Sequence, residues 1–152
     1  MTTQNYTLLL RQLESILSPE TDPVANMANT AAVLFNGLPD LNWAGFYVLR
    51  GTELVLGPFQ GKPACVRIPL GKGVCGTAAQ TGHTQRVADV HQFKGHIACD
   101  SASNSEIVIP IFKAGRVWGV LDIDSPLPAR FSETDQLYLE KAVTLFEQHT
   151  TL

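Results

Sequence analysis

Two β-branched runs, residues 107–112 and 117–123, flank the short connector Lys113-Ala114-Gly115, and this pattern calls for an antiparallel hairpin. A lone hairpin is marginal in water, so other elements must cover it. The rest of the chain supplies them. Leu9, Leu10, Leu13, Ile16 and Leu17 recur at helical spacing before Pro19, which predicts an amphipathic helix over 3–18. Thr21 or Asp22 can cap a second helix, Pro23 suits its first turn, and Val24, Met27, Ala28, Ala31, Leu34 and Phe35 form its apolar stripe before Gly37 and Pro39. Strand-like runs follow at 43–49, 53–56 and 66–68, then a short helix at 73–82 and an edge strand at 85–88. Residues 89–106 are polar and without sustained period, and structureless segments of that length usually carry function. Ser132 opens a last helix through a capping box with Asp135, burying Leu139, Ala142, Val143 and Phe146. This order predicts an α+β fold: an antiparallel sheet with the N-terminal helices and the C-terminal helix packed on one face. With 45% hydrophobic residues, residues 1–152 read as a single domain with its own core.

Charged residues make up 16% of the chain and the formal net charge is -3, so there is no basic footprint for nucleic acid or an anionic membrane surface. No uncharged apolar stretch approaches the roughly eighteen residues of a membrane span, and no basic segment precedes an apolar leader. A cytoplasmic location is expected. The three cysteines, Cys65, Cys75 and Cys99, are odd in number and lack CxxC pairing, so at least one thiol is free or transiently paired.

The second hairpin strand reads V-W-G-V-L-D-I-D. Alternation puts Val117, Gly119, Leu121 and Ile123 on one face and Trp118, Val120, Asp122 and Asp124 on the other. A three-residue turn over 113–115 pairs Phe112 with Arg116 and sets Glu106 opposite Asp122, whereas a two-residue turn would move Glu106 off that face. Two charges about 6.5 Å apart repel by roughly 2.5 kcal/mol at an effective dielectric near 20, or about two pKa units, so three partly buried acids do not all stay ionised. Either a cation binds or one acid keeps its proton. A solvated strand end is the plain alternative.

Cys99 lies in H-I-A-C-D-S-A-S-N-S-E, seven residues before Glu106, where backbone amides and hydroxyls can surround a thiolate. His96 could lower its pKa, and a buried small hydrophobe is the alternative. Cys65 ends the turn-like G-K-P-A-C, a segment able to swing a second sulfur toward Cys99. Cys75, in G-K-G-V-C-G-T-A-A, sits near a helix start among small residues, where packing is the simpler role. The G-K-G there lacks the full GxxxxGK[ST] of a phosphate loop.

The motifs N-W-A-G-F-Y, P-x-G-K-G-V-C-G, H-I-A-C-D-S-x-S-x-S-E-I-V-I-P, W-G-V-L-D-I-D-S and F-S-E-x-D together resemble the free methionine-(R)-sulfoxide reductases, a GAF-domain family. The resemblance covers nearly the whole chain. It implies that Cys99 attacks the sulfoxide sulfur, that Cys65 resolves the sulfenic acid as a disulfide, and that Cys75 is an accessory thiol. It also implies that Glu106, Asp122 and Asp124 meet the sulfoxide and ammonium, with Trp43 and Tyr47 walling the methyl group. Free methionine sulfoxide would then be the substrate, a thioredoxin-type protein the reductant and a homodimer the assembly, with no metal or organic cofactor. Amides of the 98–105 segment could receive the substrate carboxylate. Two alternatives remain at this level. One is a small-ligand GAF sensor, although no output segment follows the last helix. The other is a metal-binding domain using Cys99, His96, His91 and the acids, for which a ligand spacing is lacking.

Overall fold

The computed structural model describes residues 1–97 and 102–152. Six antiparallel strands form one sheet in the order β3-β2-β1-β6-β5-β4. They are β1 (Trp43–Arg50), β2 (Glu53–Gly61), β3 (Arg67–Pro69), β4 (Gln85–Val87), β5 (Ser105–Lys113) and β6 (Arg116–Ser125). The helices are α1 (Thr3–Leu17), α2 (Pro23–Gly37), α3 (Gly73–Thr81) and α4 (Glu133–His149). Asp22 caps α2 through its side chain, and Ser132 with Asp135 completes the capping box of α4.

Strand alternation gives the sheet two apolar faces, and each collects its own helices. On one, Phe46, Ile107, Ile109, Leu121 and Ile123 pack against Leu13 of α1, Leu34 of α2 and Leu139 and Phe146 of α4. The expected three-helix face is therefore present. On the other, Tyr47, Val108 and Val120 pack against Val74, Ala78 and Ala79 of α3. Among the described residues this short helix and loop residues such as Ala64, Phe93 and Ile97 pack on that side, beside a cavity. Among the described residues no helix is long and apolar enough to cross a membrane.

Two β-bulges separate the observed strands from the expected ones. The run expected at 53–56 continues to Gly61, because the register slips by one residue between Gly45↔Phe59 and Tyr47↔Leu56. The slip lets Gly57 and Pro58 pass through the strand where a missing N–H is tolerated. The second bulge corrects the hairpin. Its turn holds two residues, not three: Lys113 pairs with Arg116, and Ala114 and Gly115 take φ values of 50° and 77°. Positive φ at both central residues matches the right-handed strand twist, which favours such turns. Alone, that turn would have rotated Glu106 away from the acidic face. Between Ile111↔Gly119 and Phe112↔Val117 the register shifts again, leaving Trp118 as an extra residue and restoring parity. Glu106 therefore stands opposite Asp124 rather than Asp122, and Val108 opposite Asp122. Trp118 also leaves the face of Val120 and joins the opposite core, its ring 6.2 Å from that of Phe146, while Val117 takes the acidic side.

Ala114 bears the conformational cost of this turn, since a left-handed backbone costs an alanine about 1–2 kcal/mol. Ala114→Asn creates the Asn-Gly pair that such turns prefer and is expected to stabilise the protein by about 1 kcal/mol, raising the thermal midpoint by roughly 2–4 °C in a calorimetric scan. An unchanged or lower midpoint contradicts this description of the turn.

Candidate active site

The restored parity brings the acids together. Glu106 on β5 neighbours Asp124 on β6, and β1 lies on the far side of β6 with Trp43 beside Asp124 and Gly45 beside Asp122. These residues floor a cavity under the start of α3, lined also by Tyr47, Ile68, Lys72, Cys75, His96 and Ser103. The indole of Trp43 stacks on Phe59 at 5.2 Å and on Tyr47 at 6.0 Å. Gly45 makes room for that stack, because a Cβ there would collide with Phe59 and the Trp43 ring. Trp43 Nε1 donates to the carbonyl of Lys62 (3.1 Å) and Tyr47 Oη to that of Cys65 (2.8 Å).

The carboxylates are buried, with Glu106 7%, Asp122 5% and Asp124 9% exposed, which excludes a solvated strand end. Desolvation first, then the charge of Asp122, pushes the Glu106 carboxyl well above the usual carboxylate range. Desolvation and Asp124 do the same to Asp122. The Oδ1 atom of Asp122, a residue that lines the cavity, is buried and has no hydrogen-bond partner among the described residues. Cys75 Sγ approaches Glu106 Oε2 at 4.0 Å. Burial, reinforced by the surrounding acids, holds this thiol in its neutral form, so it is a poor nucleophile here. The same desolvation keeps the Tyr47 phenol protonated and able to donate.

This arrangement offers two functions in one place: a carboxyl that holds its proton, and an anionic wall for a cation. Cys75, Glu106 and Asp122 present a sulfur and two carboxylate oxygens within 4.8 Å of one another, a donor set that an ammonium or a metal ion could meet. Among the described residues it is this set, and not His91 and His96, that gathers close ligand atoms. The His96 ring lines the cavity, 6.2 Å from that of His91, and burial followed by His91 lowers its pKa.

Six of the eight residues singled out from the sequence therefore line one cavity: Trp43, Tyr47, Cys75, Glu106, Asp122 and Asp124. Cys75 faces the acids rather than serving only to pack the start of α3. Cys65 lies on the segment held by Tyr47 and is disulfide-bonded, whereas Cys75 is a free thiol. Cys99 lies outside the described residues. Phe59, Lys72 and Ser103 were not singled out. Phe59 follows Gly57-Pro58, which reads as the end of a strand, nothing in the sequence places Lys72 beside the acids, and Ser103 enters only as part of the 98–105 segment offered to the substrate carboxylate.

Comparison with known proteins gives this geometry its context. The GAF domain family matches residues 12–149. The chain is 52% identical over 146 residues to the free methionine-R-sulfoxide reductase of Escherichia coli (strain K12), covering 96% of this chain and 88% of that protein. It is 44% identical over 148 residues to the Saccharomyces cerevisiae protein of the same name, covering 92% and 82%. Among solved structures, fRMsr of Staphylococcus aureus in complex with substrate superposes with a TM-score of 0.92 at 54% identity, covering 95% of each chain. The free methionine-R-sulfoxide reductase of Neisseria meningitidis with its substrate gives 0.93 at 49% identity, covering 98% of this chain and 91% of that one. Fold, cavity and identity converge: the chain belongs to the GAF-domain family of free methionine-R-sulfoxide reductases.

Proposed function

We propose that this chain reduces free methionine-R-sulfoxide to methionine, with Cys99 as the attacking thiol and Cys65 as the resolving one. The observation that carries the reading is the cavity in which buried, proton-holding carboxyls face an aromatic wall, in a chain 52% identical to the Escherichia coli enzyme. A sulfoxide oxygen leaves readily only when it is protonated or strongly hydrogen bonded. The Glu106–Asp122 pair, with its raised proton affinity, supplies that proton. The anionic remainder of the acidic wall receives the substrate ammonium, a group that a methionine inside a protein lacks, and Trp43 and Tyr47 flank the methyl group. In this scheme Cys99 gives two electrons to the sulfoxide sulfur and takes up its oxygen, leaving methionine and a sulfenic acid. The Cys65 thiol then displaces that oxygen as water and forms the disulfide, which a thioredoxin-type dithiol reduces. Two facts support this division of labour. Cys65 is found in a disulfide, and Cys75 is a free thiol held neutral.

Single-turnover and steady-state assays separate the roles. Cys99→Ser is expected to abolish methionine formation, while Cys65→Ser yields one burst of methionine per protein and then stalls. Multiple turnover with thioredoxin in Cys99→Ser contradicts the assignment.

Removing the proton donor tests the acid. Glu106→Gln is expected to lower kcat/KM by about 10²–10⁴-fold. It is also expected to raise thermal stability. A carboxyl whose folded pKa is raised keeps a proton that the unfolded chain releases above about pH 4.3, so stability falls as pH climbs toward the folded value. Glutamine removes that loss, and its advantage over the parent should widen as pH rises from about 4.3 toward neutrality. A variant less stable than the parent at pH 7 contradicts the crowded-carboxyl description.

A further inference from the structure

The substrate wall and the Cys65 segment are joined by hydrogen bonds. Trp43 and Tyr47 are both 2% exposed, both line the cavity, and each donates to a backbone carbonyl of the segment that ends at Cys65. Trp43 Nε1 donates to Lys62 O at 3.1 Å and Tyr47 Oη to Cys65 O at 2.8 Å. Lys62 itself is exposed and residues 62–64 lie outside every strand and helix, while Ala64 and Cys65 pack against the core and Leu56 N donates to Val66 O at 2.9 Å, so the two bonds hold a segment that is anchored at both ends. The donors, by contrast, are rigid: β1 sits at the centre of the sheet, and Phe59 braces the indole from β2. Cys65 is disulfide-bonded in this arrangement.

We infer that Trp43 and Tyr47 are positioning residues for Cys65: their N–H and O–H groups latch the 62–65 segment in the placement that its disulfide requires. Both bonds are present with Cys65 disulfide-bonded and, in this proposal, are lost when reduction frees the segment, so the latch favours the disulfide over the dithiol. The inference rests on the reading of Cys65 as a redox-cycling thiol, but not on substrate turnover. A net hydrogen bond of about 0.5–1.5 kcal/mol corresponds to roughly threefold to tenfold in the redox equilibrium.

The test is a redox titration of the protein in glutathione buffers without substrate. Two glutathione thiols become one glutathione disulfide while the protein disulfide takes up two electrons and two protons, and a thiol-alkylation mass shift counts the reduced fraction. Tyr47→Phe and Trp43→Phe each keep a ring and remove one donor. Each is expected to make the Cys65 disulfide about threefold to tenfold easier to reduce, a rise of about 14–30 mV for a two-electron couple. Phe59→Leu loosens the stack but keeps both donors, and should lower the thermal midpoint while shifting the potential by less than either donor variant does. In the unsubstituted protein, amide exchange at Lys62 and Ala64 should quicken on reduction. Potentials of both donor variants equal to the parent's, a shift in Phe59→Leu as large as theirs, or exchange indifferent to redox state overturns the latch. Because substrate is absent, a shifted potential in a protein that fails to make methionine would refute the reductase reading and leave the latch standing.

Discussion

The chemistry of this molecule depends on the desolvation of carboxylates that cannot escape one another. Glu106, Asp122 and Asp124 are held by the backbone pairing of two neighbouring interior strands, β5 and β6, so their mutual distance is set by the sheet and not by flexible side chains. Water would screen the repulsion, but α3 and the aromatic wall exclude most of it. The cheapest resolution is to keep protons or to accept a cation. Both resolutions suit a ligand that brings an ammonium and an oxygen needing a proton. In the proposed reaction, the structural cost of the site and its catalytic power have one origin.

The aromatic residues extend that logic. Trp43 and Tyr47 line the cavity beside the acids and donate to the chain that carries Cys65. Gly45 and Phe59 matter because they determine where the indole lies. A change in this wall is therefore felt in the proton affinity of the acids and in the placement of Cys65 together.

Helical periodicity and capping residues made α1, α2 and α4 legible, because local chemistry decides where such helices start and which side they bury. Strand alternation made the shared face of Asp122 and Asp124 legible for a similar reason. Glu106 reached that face by a route the sequence did not reveal. The expected three-residue turn is a two-residue turn with a bulge at Trp118, and these two departures cancel in parity. A bulge has no strong local signature, since it is selected by packing of a large ring, here against Phe146 of α4. Gly57-Pro58 likewise reads as a strand end, yet a bulge carries β2 through it and delivers Phe59 to the site. The hydrogen bonds to Lys62 and Cys65 carbonyls were hidden for a third reason: backbone acceptors carry no residue identity.

The state of the acidic cluster can be observed without turnover. Infrared difference spectroscopy of the ligand-free reduced protein at pH 7, with carboxyl carbons isotopically labelled, reads protonated and ionised side chains separately. A protonated carboxylic-acid carbonyl band that persists at pH 7 and disappears in the Glu106→Gln, Asp122→Asn double variant is the expected result. A spectrum in which every aspartate and glutamate is ionised at pH 7 would contradict the claim that burial and crowding keep a proton at this site.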